Sequence, residues 1–152
     1  RPQMQEAVPV LHSLTQDLIP MIDADTSAFN QYMAALRMDQ STKTAQALRH
    51  DAMQEGLKTA IQVPLTAMRL CDRAWDAMLI VARHGNPASC SDTLVGAAAL
   101  KTGIWGAYQN VLINMADIED DGYKKQILRE AEDISARAEA GYTKVTELIE
   151  TL

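Results

Sequence analysis

Aspartates are the side chains of this chain best suited to proton transfer. Asp25 falls in the apolar register of a helical pattern, between Ile22 and Phe29. A carboxylate in apolar surroundings is costly unless it is paired, and its pKa tends to rise. Asp25 is therefore a candidate acid or base, or else a helix-packing acid held by an arginine or tyrosine of a neighbouring helix. Asp23 is predicted to face away, as a second acid of a site or as solvated surface.

Asp92 is a third candidate, because it stands in the first turn of a predicted helix. The positive end of the helix dipole stabilises a carboxylate at that position. Taken alone, Asp92 reads as an ordinary helix-start acid, and Ser89 and Ser91 are good caps for the same helix.

A stripe of small and amide side chains shares one face with Asp92. Its members recur every three or four residues, which places them on one side of a helix: Asp92, Gly96, Ala99, Gly103, Gly106 or Ala107, Asn110 and Asn114. Glycine inside a helix costs roughly 1 kcal/mol relative to alanine. The stripe therefore predicts either a closely packed helix or a bound molecule on this face.

The elements that position these residues are four helices, so the predicted fold is an all-α antiparallel bundle forming one domain over residues 1–152. The first helix ends near Asp39 and has bends or a break at Pro9 and Pro20. The second helix follows the capping segment 39–42, is kinked at Pro64 and ends at the turn 84–87. The glycine- and alanine-rich third helix opens at Ser89 or Ser91, and the fourth runs from residue 123 to the end.

Composition narrows the function classes. The net charge is −6. This argues against binding of nucleic acid, because contact with a duplex needs clustered lysine and arginine. The longest apolar run, residues 77–82, is too short for a membrane span. His12, His50, His84 and both cysteines lack metal-binding spacing, so no metal is predicted. With only two cysteines and eight methionines, and no signal-peptide pattern at its start, the chain is predicted to be cytoplasmic.

Four segments of the chain resemble the cyclodeaminase domain of the formiminotransferase-cyclodeaminase family, which also includes methenyltetrahydrofolate cyclohydrolases. The segments are 22–33 (IDADTSAFNQYM), 63–65 (VPL), 85–92 (GNPASCSD) and 106–114 (GAYQNVLIN). The resemblance implies an all-helical fold, a homodimer or higher homo-oligomer, and a tetrahydrofolate derivative as substrate. It also implies one-carbon metabolism, with histidine breakdown as a source, and a formiminotransferase domain or subunit as a partner.

The chain departs from the family pattern at its start. In the family a proline- and glycine-rich loop and a further helix precede this region, and residues 1–10 do not match that loop. Either the chain is part of a longer one, or this protein lacks part of the folate pocket.

The implied reaction is closure of 5-formiminotetrahydrofolate to the 5,10-methenyl compound with loss of ammonia. It needs a group that accepts the N10 proton, a group that protonates the leaving nitrogen, and negative charge near the developing cation. Our hypothesis places Asp92 at the reacting carbon, with Asp25 or Asp23 assisting or orienting. The predicted substrate-binding residues are Ser91, Asn86, Gly96, Gly103, Asn110 and Asn114; the glycines would admit the flat pterin ring close to the backbone.

Two alternatives stay open. The first is the cyclohydrolase reaction, in which water attacks the methenyl carbon and the ring opens to 10-formyltetrahydrofolate. The second is a helical module that binds folate or assembles without turnover, with the stripe serving only for close helix contact.

Overall fold

The computed structural model of the protein describes residues 2–151. Within that range the chain forms five α-helices and one short 3-10 helix, and no strand. The helices are α1 Pro2–Leu36, α2 Lys43–Asp72, α3 Trp75–His84, α4 Cys90–Met115 and α5 Asp121–Glu150, with the 3-10 helix Pro87–Ser89 before α4. The predicted all-α architecture is confirmed. No helix in the described range combines the length and apolar character that crossing a bilayer requires.

Side-chain caps start two of the helices, and the first of them lies in the predicted capping segment 39–42. The Thr42 hydroxyl accepts a hydrogen bond from the Ala45 backbone N–H at 3.1 Å, and the Asp120 carboxylate accepts one from the Tyr123 N–H at 2.9 Å. Each bond satisfies a donor that the first helical turn leaves without a partner.

The predicted second helix is two helices, because the chain leaves helical geometry at Arg73 and Ala74. The predicted kink site, Pro64, lies buried inside an uninterrupted α2. Proline removes the N–H that would bond to the carbonyl four residues back, Ala60. The side-chain amide of Asn114 on α4 lies 3.5 Å from that carbonyl oxygen, so a neighbouring helix offers a donor where α2 lacks one.

The core lies where α2, α4 and α5 meet, and α1 packs over α2 and α3. The largest fully buried side chains of the core are all aliphatic or methionine: Ile61, Leu65, Met68, Ile104, Val111, Ile134 and Val145. No polar or charged residue of the described range is buried. The core is therefore a packing element and holds no reactive group.

The apolar register predicted around Asp25, between Ile22 and Phe29, is wrong. Its buried residues are Ala7, Leu14, Ala28 and Ala35, which repeat at multiples of seven, and α1 continues through both of its prolines. Ile22 is 71% exposed and Phe29 is 59% exposed. Asp25 between them is exposed as well. In the second half of α1 the buried positions are the small Ala28 and Ala35, so Ile22 and Phe29 point outward, whereas in the first half Leu14 is buried.

Polar contacts tie α2 to the loop between α4 and α5. The Gln54 side chain donates to the Asp117 carbonyl at 3.0 Å and accepts from the Glu119 N–H at 3.1 Å. His50 Nε2 lies 3.0 Å from a carboxylate oxygen of Glu119. That hydrogen bond is the chief reason the pKa of His50 is raised above its ordinary value of 6.5.

A pH-dependent contribution to stability follows from the His50 contact. A raised pKa in the folded state means that the contact stabilises fully below the unfolded pKa, and that the effect is lost as pH rises through the folded pKa. His50→Gln should therefore lower the melting temperature at about pH 5.5 and change it little at about pH 8.5. His12→Gln, at an exposed position of α1, is the control. Equal losses at both pH values would contradict the assignment.

Candidate functional site

The predicted stripe lies on one face of α4 and is open to solvent in the single chain. Asp92, Gly96, Gly103 and Asn110 are all exposed. A Cβ built on Gly103 or Gly106 meets no heavy atom within 4 Å, and one on Gly96 meets only the Met78 methyl, at 3.6 Å. Around Gly103 and Gly106, therefore, no side chain or helix of the described range fills this face.

Large apolar side chains lie beside the stripe. Val95 is 69% exposed and Ile113 is 72% exposed. At 100° per residue these two share one line on α4, about 80° around the helix from Gly103. Between residues 93 and 116 the only charged residue is Lys101, and its ammonium is paired with Glu139 at 2.7 Å. This surface carries no unpaired charge, on a protein of net charge −6, although Thr102 and Gln109 also lie along it.

Asp92 heads the stripe in the first turn of α4. Within residues 2–151 it forms no ion pair, so its carboxylate is available to a ligand. The adjacent Ser91 is also exposed. The two serines predicted as caps do not cap α4. Ser89 is the N-cap residue, but its side chain makes no capping hydrogen bond, and Ser91 lies inside the helix. The start of α4 thus presents one carboxylate on the open glycine face, whereas the Ser91 hydroxyl lies about 120° around the helix from Gly103.

Asn86 and Asn114 both have local structural partners. The Asn86 side-chain oxygen accepts a hydrogen bond from the Ala88 N–H at 3.1 Å and so caps the 3-10 helix. The Asn114 amide donates to the Asn110 carbonyl at 2.9 Å, in addition to its approach to α2. Of the predicted amide ligands, Asn110 has the exposed side chain on the stripe.

Asp23 and Asp25 lie on α1, and the structure does not bring them to Asp92. Leu14 and Leu18 of α1 line a cleft of about 250 Å³ together with Gly96 of α4. Because α1 and α4 both run antiparallel to α2, they run parallel to each other. Leu18 of α1 and Gly96 of α4 lie at the same height in the bundle, since both line this cleft. Measured along the helix axes from there, Asp25 lies about 10 Å toward the C-terminal end of α1, and Asp92 lies about 6 Å toward the N-terminal end of α4. The two carboxylates are therefore more than about 15 Å apart in one chain.

Cys71 lines the same cleft between α1, α2 and α4. Burial raises the pKa of its thiol, so the thiol stays protonated at neutral pH and is a poor nucleophile. Cys71 is therefore a packing residue of this cleft. Among residues 2–151 no three histidine, cysteine, aspartate or glutamate side chains are grouped so that they could hold a metal ion.

A second feature of α4, which the sequence analysis did not single out, is the side of the helix that faces α5. There Trp105 is 62% exposed and stands at the mouth of a cleft of about 240 Å³. The only sequence signal for it is an isolated tryptophan between two helical glycines.

Comparison with known proteins gives one family and several close relatives. The family model for formiminotransferase-cyclodeaminase matches residues 1–133. The formimidoyltransferase-cyclodeaminase of Gallus gallus is 38% identical over 147 residues, which is 97% of this chain and 27% of the relative. The protein of the same name from Dictyostelium discoideum is 40% identical over 96% of this chain and 26% of the relative. The chain thus spans about a quarter of these relatives.

A methenyltetrahydrofolate cyclohydrolase of Methylorubrum extorquens is 33% identical over 138 residues, covering 91% of this chain and 66% of that protein. Among solved structures, the formiminotetrahydrofolate cyclodeaminase of Thermotoga maritima superposes with a TM-score of 0.85 at 27% identity, over 99% of this chain and 71% of that one. The same helical fold is therefore shared along the whole chain.

Proposed function

The chain belongs to the formiminotransferase-cyclodeaminase family, and on that premise we propose that it is a formimidoyltetrahydrofolate cyclodeaminase. It closes 5-formiminotetrahydrofolate to 5,10-methenyltetrahydrofolate and releases ammonia. The observation that carries the proposal is the likeness to the Thermotoga maritima cyclodeaminase over 99% of the chain. No metal or further cofactor is part of the proposal, and the tetrahydrofolate derivative is the substrate itself.

The chemistry sets what the site must supply. N10 attacks the formimino carbon, a bond to N10 forms, and the bond from that carbon to the departing nitrogen breaks. The departing =NH nitrogen needs two protons to leave as ammonia: one is the proton that N10 loses, and the second is taken up from solvent. This net uptake of one proton leaves a positive charge spread over the new N–C–N unit. A carboxylate beside the carbon accepts the first proton and stabilises that cation.

In the proposed site Asp92 is this carboxylate, since it is exposed and heads an uncharged face. We assign binding of the polar edge of the pterin to Asn110, which shares that face, and to Ser91, which is exposed at the start of α4 but lies about 120° around the helix from Gly103. Gly96 and Gly103 let the flat ring approach the helix backbone, because neither glycine has a side chain to hold the ring away. Asn86 and Asn114 have protein partners for part of their amide groups, so we assign them a supporting role at the two ends.

A second reaction has specific support from the Methylorubrum extorquens cyclohydrolase, of which the match covers 66%. Both reactions form or consume a methenyl cation, so one carboxylate serves either. Supplying both substrates to the purified protein separates them. Ammonia release from the formimino compound supports the cyclodeaminase, whereas loss of the methenyl compound without ammonia release supports the cyclohydrolase. If the protein binds folate but catalyses neither reaction, it is a folate-binding module without turnover.

The wider setting belongs to the same proposal. Relatives that carry both activity names span about four times the length of this chain, so a formiminotransferase domain or subunit is the proposed partner that supplies the formimino compound. We place the reaction in cytoplasmic one-carbon metabolism, with histidine breakdown as the source of the formimino group.

We further propose a homodimer through the apolar line formed by Val95 and Ile113. Two copies that each carry a charge of −6 repel each other, and the repulsion is least where the contact surfaces are uncharged. A dimer also has a consequence for Asp25: since it lies far from Asp92 in one chain, it reaches the same substrate only if a second copy supplies it.

Charge placed on the apolar line tests the dimer. Ile113→Glu should convert a dimer to a monomer in sedimentation experiments, because a buried unpaired carboxylate at the interface is costly. Ala140→Glu, at an exposed position of α5, is the matched control and should leave the dimer intact. A wild-type protein that is monomeric, or a dimer that tolerates Ile113→Glu, would contradict this interface.

A further inference from the structure

A long stripe of large apolar side chains on α1 is open to solvent. Its members, which we call the α1 stripe, are Val8, Ile19, Ile22 and Phe29, and each of them is more than half exposed. At 100° and 1.5 Å per residue they fall within an arc of about 80° and extend over about 31 Å of the helix. Nothing in the described part of the chain covers this surface, so it is accessible to a partner.

The spacing of the α1 stripe indicates that its partner is a helix. Val8, Ile22 and Phe29 are separated by multiples of seven residues, and Ile19 precedes Ile22 by three. Steps of three and seven residues are those with which one helix packs along another in a coiled coil. At 1.5 Å per residue, a helix of about 20 residues matches the length of the stripe.

The charges of α1 indicate what kind of helix it binds. Residues 2–36 contain four acids, Glu6, Asp17, Asp23 and Asp25, and no lysine or arginine. Asp23 and Asp25 flank the α1 stripe, each about 40° beyond one of its edges. Both are exposed, and neither forms an ion pair within residues 2–151. Because charges beside the apolar seam set the choice of partner in a coiled coil, these two carboxylates favour a partner with lysine or arginine at its flanks.

The same charges argue against two other occupants. Pairing α1 with α1 of a second copy would bring two pairs of like-charged aspartates together, which is unfavourable. Helices that lie on membrane surfaces carry lysine and arginine on their polar face, and α1 has neither.

We propose that the α1 stripe is a docking surface for a basic amphipathic helix of another protein. The apolar side chains of that helix pack on Ile22 and Phe29, and its cations pair with Asp23 and Asp25. This proposal rests on the exposed face of α1 and goes beyond the proposed reaction, which it neither needs nor alters.

The test is calorimetric titration of the purified protein with a synthetic helical peptide of about 20 residues. The peptide carries leucine at the seam positions and lysine at the flanking positions. It should bind saturably, and added salt should weaken the binding because salt screens exposed charges. The same peptide with glutamate in place of every lysine should not bind. Phe29→Ser should weaken binding of the lysine peptide at least about 10-fold, the effect of losing one large apolar contact.

Leu48→Ser is the matched control, because Leu48 is a large apolar residue of α2 with the same exposed fraction as Phe29, 59%. It should leave peptide binding unchanged. Both variants should unfold at the temperature of the wild type, since both positions are exposed, so a loss of binding by Phe29→Ser is not a loss of folding. A lysine peptide that does not bind saturably, that binds both variants equally well, or that binds no better than the glutamate peptide would overturn the proposal.

Two further measurements identify the other occupants. If Phe29→Ser abolishes self-association in sedimentation experiments, the α1 stripe takes a second copy of the chain. If the wild type binds phosphatidylglycerol vesicles and Phe29→Ser does not, the stripe takes a membrane surface. Either result would overturn the proposal. Ammonia release is measured separately, so failure of the proposed reaction leaves the peptide result unchanged.

Discussion

Asp92→Asn should lower the turnover number for ammonia release by at least about 100-fold, the lower end of what a positioned acid or base contributes. The substitution keeps the shape of the side chain and removes its charge and its proton affinity. Folding should be affected little, because an exposed first-turn acid contributes only about 0.3–1 kcal/mol through the helix dipole. Initial-rate measurements together with thermal unfolding separate the two effects.

Asp76→Asn is the matched control for that measurement. Asp76 is also an exposed acid in the first turn of a helix, α3, but it does not lie on the stripe of α4. It should lose the same small helix-dipole term and keep full turnover. If Asp92→Asn retains turnover, or if both variants lose it equally, Asp92 has no part in the chemistry.

Gly141→Ala should destabilise the protein by about 2 kcal/mol, which lowers the melting temperature by about 4–8 °C. A Cβ at position 141 would overlap the Trp75 ring, with Cε3 only 2.7 Å away. Trp75 is rigid and 6% exposed, so it cannot move aside without disturbing the contact of α3 with α5. The added methyl therefore costs more than the roughly 1 kcal/mol that alanine gains in a helix.

Gly103→Ala is the control, since a Cβ there meets no atom within 4 Å. In one chain it should be neutral or stabilising by up to about 1 kcal/mol. Thermal unfolding of both variants side by side checks the contrast. Equal melting temperatures for the two variants would show that the space around Gly141 is not as tight as the structure has it.

Helix positions were predictable wherever a side chain marks an end. Thr42 and Asp120 begin helices by accepting N–H groups, and their types announce that role. The end of α2 at Arg73 and Ala74 has no such mark, because neither residue disfavours a helix. Pro64 does not end α2, since α4 brings a donor near the carbonyl that the proline leaves free.

The candidate site was predictable in part, for the same physical reason. Spacing alone places Asp92, Gly96 and Gly103 on one face, and the structure confirms that they share it. Spacing could not tell which face of α1 is buried, because close helix packing selects alanines such as Ala28 over the larger Phe29. It also gave little sign of the cleft at Trp105, which depends on how α4 and α5 meet.

The most direct test of the central claim is a structure of the protein bound to 5-formyltetrahydrofolate, a stable analogue of the proposed substrate. We expect the reduced pterin to lie against Gly96 and Gly103, with the Asp92 carboxylate at the formyl carbon and N10. A ligand bound away from this face of α4, with the face itself covered by side chains of a second copy, would contradict the claim.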